Sequence, residues 1–165
     1  MLSRLRPSNR EQDLQPGPWL WQHECVIRRR SEAGYLETVA SLIAAIERRG
    51  LTLFARIDHA AGARDAGLEL ADEQVLVFGN ARSGTPLMES DPQVGLDLPL
   101  RILISRESDG VWIGYHDPRE LSETYDIRRH QPTLEQMAGL LSDLAGDAAA
   151  GPGRAEAGGP GNHAR

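Results

Sequence analysis

The stretch LETVASLIAAIERRGLTLFARI, residues 36–57, decides the fold because its hydrophobic spacing changes abruptly in the middle. In the first half, apolar side chains recur every three or four residues, which predicts an amphipathic helix. Gly50 follows two arginines at the place where a left-handed glycine commonly ends a helix. The second half alternates apolar and other side chains, which predicts a half-buried strand joined tightly to the helix. The apolar positions are Leu36, Val39, Ala40, Ile43 and Ile46 in the helix, and Leu51, Leu53, Ala55 and Ile57 in the strand.

Strand patterns flank this unit on both sides. Residues 94–105 alternate strictly, and Glu107-Ser108-Asp109-Gly110 has the composition of a hairpin turn. The further predicted strands are Trp19–Arg30, Val75–Phe78 and Val111–Tyr115. The order is therefore a strand, a helix, about four strands and then helices.

Three further helix starts carry capping signals. Asp58 is placed to cap a short helix in HAAGARDA, and Asp117-Pro118 supplies a cap followed by proline at the first helical position. Thr133-x-x-Gln136 resembles a capping box before a leucine-rich helix. We expect a disordered arm at 1–18, an α+β domain at 19–131, an additional amphipathic helix at 132–150 and a disordered tail at 151–165.

Charge and composition exclude several classes of function. Residues 31–150 carry ten arginines against twenty acidic side chains, an imbalance that disfavours nucleic-acid binding. The chain has no lysine, which excludes Schiff-base catalysis and a phosphate-binding P-loop lysine. Cys25 is the single cysteine, so no internal disulfide forms. No apolar run predicts a signal peptide or a membrane span, and we expect a cytoplasmic location without membrane partners.

The stretch FGNARSGTPLM, residues 78–88, has the glycine spacing of a P-loop but lacks its chemistry. Thr85 occupies the position that a P-loop gives to lysine, and Pro86 follows it. We expect Gly79 and Gly84 to shape turns, with Thr85 as the N-cap of a short helix and Pro86 as its first residue. The stretch is therefore predicted to form a corner of the fold.

The segments FARIDHAAGARDAGLEL, VLVFGNARSGTPLMESDPQVGLDLPLRILI and VWIGYHDP together resemble the domain of unknown function family 302, over roughly residues 33–130. The resemblance covers the Asp58-His59 pair, the turn from Phe78 to Asn80, and the Gly84-Thr85-x-Leu87-Met88 motif. It also covers the run from Asp97 to Leu100. It implies an antiparallel sheet in the order strand, helix, four strands, helix, similar to the TATA-binding-protein-like group, and no established activity. The Trp-rich N-terminal extension and the C-terminal helix depart from the expected pattern.

Several polar residues are candidates for a ligand site. Asp58 beside His59 is the most suggestive pair, although adjacent helical residues do not face each other and Asp58 is a natural cap. His59 and His116 together would form only a weak metal site. Asp97 lies on an otherwise apolar strand, so it either has a hydrogen-bond donor or faces solvent. The predicted ligand-binding residues are Asp58, His59, Asn80, Gly84, Thr85, Met88, Asp97 and Tyr115.

Three functional hypotheses remain open at this level. The first is a non-enzymatic domain that binds a small ligand or a partner as a homodimer, with a pocket between helix and sheet. The second is a hydrolase or isomerase that uses Asp58, His59, Asn80 and His116. The third is an assembly protein that binds a partner through the leucine stripe of residues 133–148. The predicted pocket lining is Leu53, Met88, Leu98, Ile102 and Trp112, and the sequence identifies no cofactor.

Overall fold

The computed structural model describes residues 26–152. The predicted arm at 1–18, the residues 19–25 that include Cys25, and the predicted tail from residue 153 onward lie outside the described part. The predicted first strand is therefore seen only from Val26.

Five strands form one sheet in the order β1-β5-β4-β3-β2, and every neighbouring pair is antiparallel. The predicted α+β class and antiparallel sheet are confirmed. A two-residue loop joins β4 to β5 with Glu107 opposite Gly110, as the hairpin signal predicted. The strands are β1 Val26–Arg30, β2 Thr52–Asp58, β3 Glu73–Gly79, β4 Leu100–Glu107 and β5 Gly110–His116.

Two long helices, α1 and α5, pack together against one face of the sheet. Side chains on that face of the sheet are fully buried, among them Leu76, Phe78, Ile102, Ile104 and Ile113. The helices are α1 Tyr35–Arg48, α2 His59–Asp65, α3 Ala81–Ser90, α4 Leu121–Thr124 and α5 Gln131–Ala150. Short 3-10 turns cover Pro92–Leu96, Pro118–Glu120 and Arg128–His130. The opposite face of the sheet, here called the open face, has no helix of comparable length over it.

Helix α1 forms where it was predicted, but its buried stripe is offset from the predicted one. Leu36 is 72% exposed, whereas Tyr35 and Thr38 are buried. The Thr38 hydroxyl hydrogen-bonds to the Gly34 carbonyl at 2.9 Å and to Ser31 Oγ at 2.7 Å. A satisfied hydroxyl is tolerated in a core, so apolar spacing alone misplaced the buried face by about one position.

The end of α1 confirms the helix-to-strand connection. Gly50 has φ +65°, and its N–H donates to the Glu47 carbonyl at 2.9 Å. The N–H of Leu51 donates to the Ile46 carbonyl at 3.2 Å. These two bonds form a Schellman motif, which needs a left-handed residue that glycine adopts without steric cost.

Strand β2 lies at an edge of the sheet, and a bulge between Leu53 and Ala55 interrupts its register. An extra residue reverses the faces of the side chains beyond it, so the predicted alternation from Leu51 to Ile57 does not persist. Leu53 packs against the core, but Phe54 is 56% exposed and Ile57 is 46% exposed.

Helix α5 belongs to the core of this domain, which corrects the prediction of an additional helix beginning at residue 132. Its leucine stripe is buried against the chain itself, which argues against a partner helix bound there. Binding of a partner through residues 133–148 stays a prediction. The helix begins at Gln131, with Pro132 in its first turn, so Thr133 is not its N-cap. Its buried residues are Leu134, Met137, Leu141, Leu144, Ala145, Ala148 and Ala149.

The residues predicted to line a pocket between helix and sheet do not line one together, because they divide between the two faces of the sheet. Ile102 is fully buried on the helix face. Trp112 belongs to the open face, since its neighbours Val111 and Ile113 are buried toward the helices. There the guanidinium of Arg28 lies 4.4 Å from the Trp112 ring centroid, a cation–π contact.

Candidate functional site

The predicted site residues lie at two opposite ends of the sheet. Asp58 pairs with Gln74 near the start of β3, whereas Asn80 follows the last residue of β3. Five residues lie between Gln74 and Asn80, and the six steps along the extended strand span roughly 20 Å. His59 follows Asp58, while His116 ends β5 near the far end of the sheet. The structure does not bring the two histidines together, and the proposed joint action of Asp58, His59, Asn80 and His116 is wrong on this geometry.

At the first end, Asp58 acts as a helix cap. Its Oδ1 accepts a hydrogen bond from the Ala61 N–H at 2.8 Å, and His59 is exposed at the start of α2. Beside it, the buried Gln74 donates from Nε2 to the Tyr35 hydroxyl at 2.7 Å and accepts from Arg56 Nε. Burial raises the pKa of the Tyr35 phenol. This polar network lies inside the core and leaves no visible vacancy for a ligand.

At the second end, Asn80 caps α3. Its Oδ1 accepts from the Arg82 N–H at 2.9 Å, so the amide side chain occupies the position that an anion would need. The helix starts at Ala81, which corrects the prediction that Thr85 is the cap and Pro86 the first residue. Pro86 lies inside the helix, where its missing N–H removes one hydrogen bond. The sequence analysis overlooked Asn80 as a cap because a glycine-rich segment followed it.

Gly84, Thr85 and Met88 all belong to α3 and form a corner beside the 3-10 turn that precedes Asp97. A Cβ on Gly84 would contact the Met88 and Leu98 side chains at 3.8 Å, and one on Gly95 would lie 3.6 Å from the Met88 sulfur. These are ordinary van der Waals distances, so an alanine side chain would fit at both positions. None of Gly84, Thr85 and Met88 lines the cavity that opens beside them.

A cavity of about 620 Å³ opens at this second end. We call it the amphipathic cavity, because apolar side chains of the open face form its floor and charged side chains form its rim. Asp97 and Tyr115, both predicted site residues, line it, as does His116. The apolar lining includes Val26, Val75, Leu103, Pro118 and Leu121, and the polar lining includes Arg101, Asp117, Glu120 and Thr124.

Asp97 is held by two donors on the rim of this cavity. The Tyr125 hydroxyl donates to its Oδ2 at 2.6 Å, and Arg101 donates to its Oδ1 at 3.2 Å. The carboxylate side chain is 43% exposed, so it faces solvent and keeps lone pairs available. Neither Asn80 nor Thr85 donates to Asp97. The sequence predicted either a hydrogen-bond donor or solvent exposure for this carboxylate, and the structure shows both.

The Tyr125–Asp97 hydrogen bond predicts a specific alkaline titration. The bond and the nearby carboxylate raise the pKa of the Tyr125 phenol, because the neutral phenol is the donor. A raised folded-state pKa contributes stability that is complete below the ordinary value of about 10 and is lost as pH rises through the folded value. The pKa of the Tyr35 phenol is raised as well, so Tyr125 is identified in a Tyr35→Phe background. There we expect Asp97→Asn, which removes the carboxylate acceptor, to move a late phenolate transition to lower pH, and Tyr125→Phe to abolish it. A late transition unaffected by both substitutions would contradict the assignment.

Asp117 lines the amphipathic cavity, and Arg119, which is not among its lining residues, holds the Asp117 carboxylate. Asp117 caps the 3-10 turn by accepting from the Arg119 N–H at 3.0 Å, and its carboxylate also accepts from the Arg119 guanidinium. The hydrogen bonds from Arg119 lower the pKa of Asp117. The predicted cap at Asp117-Pro118 is thereby confirmed.

A serine–histidine contact lies nearby but outside the cavity. Ser90 Oγ is 2.6 Å from His130 Nε2, and it also receives a hydrogen bond from Arg129 Nε at 3.1 Å. The same hydroxyl lies 3.0 Å from the Pro86 carbonyl. These contacts join the end of α3 to the segment before α5. Neither Ser90 nor His130 lines this cavity.

Sequence reasoning missed Gln74, Arg101 and Tyr125. Gln74 carried a signal, since it shares a strand face with Leu76 and Phe78 and a polar residue in that register is expected to find buried partners. No sequence pattern pointed to Tyr125, because it lies in an irregular segment far along the chain from Asp97. Among residues 26–152, no group of three or more His, Cys, Asp or Glu side chains is arranged to hold a metal ion. No helix in that same range is both long and apolar enough to span a membrane.

Together these features define a small two-layer α+β domain whose antiparallel sheet is covered by helices on one face and bears a cavity at one end. The chain belongs to the family described as Domain of unknown function DUF302, whose model matches residues 27–144. The match extends well into α5, so the C-terminal helix is part of the family pattern. A crystal structure of an uncharacterized conserved protein DUF302 from Bacillus stearothermophilus has the same fold. Its TM-score is 0.69 at 15% identity, over 76% of this chain and 98% of that one.

Proteins of Brucella that match part of this chain are named as fluoride channels. The chain is 36% identical over 110 residues to "Fluoride-specific ion channel FluC 1" of Brucella suis and of Brucella abortus. The aligned segment is 66% of this chain but only 39% and 37% of those two proteins. The chain thus matches less than two fifths of their length.

Proposed function

We propose that this domain binds a small amphipathic molecule in the amphipathic cavity, without catalysing its conversion. The observation that carries the proposal is the combination of an apolar floor with the Asp97 carboxylate at its rim. Ligand sites are commonly concave and mostly apolar, with a few placed polar groups. Asp97, Asp117 and Glu120 outnumber Arg101 among the charged lining residues, so a neutral or cationic donor such as an amine fits best.

Ligand-detected NMR with benzylamine tests this proposal, with benzoate as the anionic counterpart. Leu103 lies on the cavity floor, whereas Val77 lies on the same open face without lining the cavity. We expect Leu103→Ser to weaken benzylamine binding about tenfold or more, and the matched change Val77→Ser to leave it nearly unchanged. Equal binding by benzoate, or equal effects of the two substitutions, would reject the cavity as an amine site.

A homodimer is part of this proposal, and exposed apolar side chains on the edge strand β2 support it. Phe54 and Ile57 are 56% and 46% exposed beside an edge whose backbone pairs with no further strand among residues 26–152. Covering such an edge with a second copy is a common solution. Light scattering should show a dimer for the native chain and a monomer for a Phe54→Ser/Ile57→Ser variant. A native monomer at high concentration would refute dimerisation.

A second candidate function rests on the identity with the Brucella channel proteins. We infer that the matched segment of those proteins folds like this domain, as a unit without a membrane span, and that the domain acts beside a fluoride channel. Fluoride efflux from vesicles containing a Brucella FluC protein stripped of the matched segment tests the idea. Adding this domain should change the efflux rate, and an unchanged rate would reject the interaction.

A further inference from the structure

A second cavity, of about 660 Å³, lies between the edge strand β1 and helix α5. We call it the basic cavity; it is lined by Ile27, Arg29, Tyr115, Arg119, Ala138 and Ser142, among others. Small side chains on α5 oppose the strand here, so the helix does not fill the space against it. Ile27 is accordingly 37% exposed although it faces the helix layer.

Three consecutive arginines on β1 divide between the two faces of the sheet. Arg28 forms an ion pair with Glu107 on the open face, and Arg30 donates to the Asp109 carbonyl. Arg29 pairs in register with the buried Ile113, so its side chain is on the helix face. Its Nη1 lies 3.7 Å from the position of a Cβ on Gly146, beside α5. Within residues 26–152, Arg29 makes neither an ion pair nor a hydrogen bond through its guanidinium.

Two further polar groups share this cavity. Tyr115 is only 5% exposed, yet its hydroxyl has no hydrogen-bond partner within the described range and is not sealed off from solvent. Arg119 lies close enough to Tyr115 for the two to interact electrostatically. Asp117 holds the Arg119 guanidinium from one side, and Glu135 lies 3.6 Å from its Nη1. The arginine is therefore oriented before any ligand arrives.

We propose that the basic cavity binds a small organic anion that carries a carboxylate or a phosphate monoester. Guanidinium groups match the planar, bidentate geometry of these anions, and a tyrosine hydroxyl adds a neutral donor. Arg29 supplies a positive charge with which no acidic side chain within residues 26–152 pairs, whereas Arg28 is paired with Glu107 on the open face and Arg119 with Asp117 and Glu135. The volume exceeds the needs of an inorganic ion and leaves room for an apolar body. This site shares Tyr115 with the amphipathic cavity but has otherwise separate lining residues, and it prefers the opposite charge.

Phenyl phosphate is the probe for this site, titrated into the full chain and followed by calorimetry or NMR. We expect one saturable site that weakens as salt is added. Arg29→Gln should reduce the affinity at least tenfold, which corresponds to about 1.4 kcal/mol. Ser142→Leu, which keeps every charge but fills the cavity, should also reduce it. Melting curves of each variant show that the fold persists.

Three controls decide between this site and simpler explanations. Arg64→Gln removes the same charge from the exposed end of α2 and should leave phenyl phosphate affinity unchanged. An equal loss in Arg64→Gln, or full affinity in Ser142→Leu, would overturn the proposal. Inorganic phosphate binding as tightly as phenyl phosphate would indicate an adventitious ion only. Leu103→Ser, which alters the amphipathic cavity, should not change phenyl phosphate affinity. Failure of the amine-site proposal can therefore be distinguished from failure of the anion-site proposal.

Discussion

Replacing Leu144 with aspartate is expected to unfold the domain. The side chain is fully buried where α5 packs on α1, and burying an unpaired carboxylate costs several kcal/mol. Stabilities of domains this size are commonly about 5–15 kcal/mol, so most of that margin would be lost. The milder Leu144→Ala should cost about 2–5 kcal/mol. Denaturant unfolding followed by circular dichroism measures both effects.

The exposed Gln136 on the same helix provides the matched control, since Gln136→Asp should change stability by less than about 0.5 kcal/mol. Truncation before Gln131 should likewise leave an insoluble or unfolded chain, because it removes one wall of the core. A folded, soluble product lacking α5 would show that the helix is a detachable arm and would contradict its assignment to the core.

Tyr35→Phe is expected to destabilise the domain by about 1–3 kcal/mol, although it removes a single oxygen atom. Gln74 is 1% exposed, and its Nε2 donates to that oxygen at 2.7 Å. Without the hydroxyl, a buried amide hydrogen loses its acceptor far from water. Thermal or denaturant unfolding of the variant measures the loss.

A double-mutant cycle with Gln74→Met separates this bond from general packing. Met has nearly the shape of Gln but no amide to satisfy, so Tyr35→Phe should cost much less in the Gln74→Met background than in the native chain. Strictly additive costs would contradict the buried hydrogen bond. The control Tyr125→Phe changes a residue on the cavity rim that contacts neither Tyr35 nor Gln74. Its stability cost should therefore add to that of Tyr35→Phe.

The order and type of the main elements were predictable because each follows from local chemistry. The Gly50 stop, the two-residue hairpin before Gly110 and the Asp117-Pro118 start depend on neighbours only a few residues away. The buried face of α1 was displaced because apolar spacing cannot show that Tyr35 and Thr38 have hydrogen-bond partners across the fold. The bulge in β2 was equally invisible, since one extra residue changes the register without changing the composition.

The candidate site was predictable only in part, since it depends on contacts between distant residues. Asp97 attracted attention as a carboxylate in an apolar run, and the structure places it on a cavity rim. Its partner Tyr125 lies in an irregular segment without periodicity, so no pattern pointed to it. Asp58 and Asp97 were both predicted site residues, but Asp58 ends β2 and Asp97 precedes β4 at the opposite end of the sheet.

Hydrogen bonds between the loop after β1 and the end of α5 affect how fast the chain folds. Ser31 Oγ donates to the Ala149 carbonyl across 118 residues of sequence, and the Glu32 N–H donates to the same carbonyl at 2.9 Å. Such long-range closure raises contact order and slows folding. During synthesis, β1 cannot pair with β5, and the loop after it cannot contact α5, until nearly the whole domain has been made.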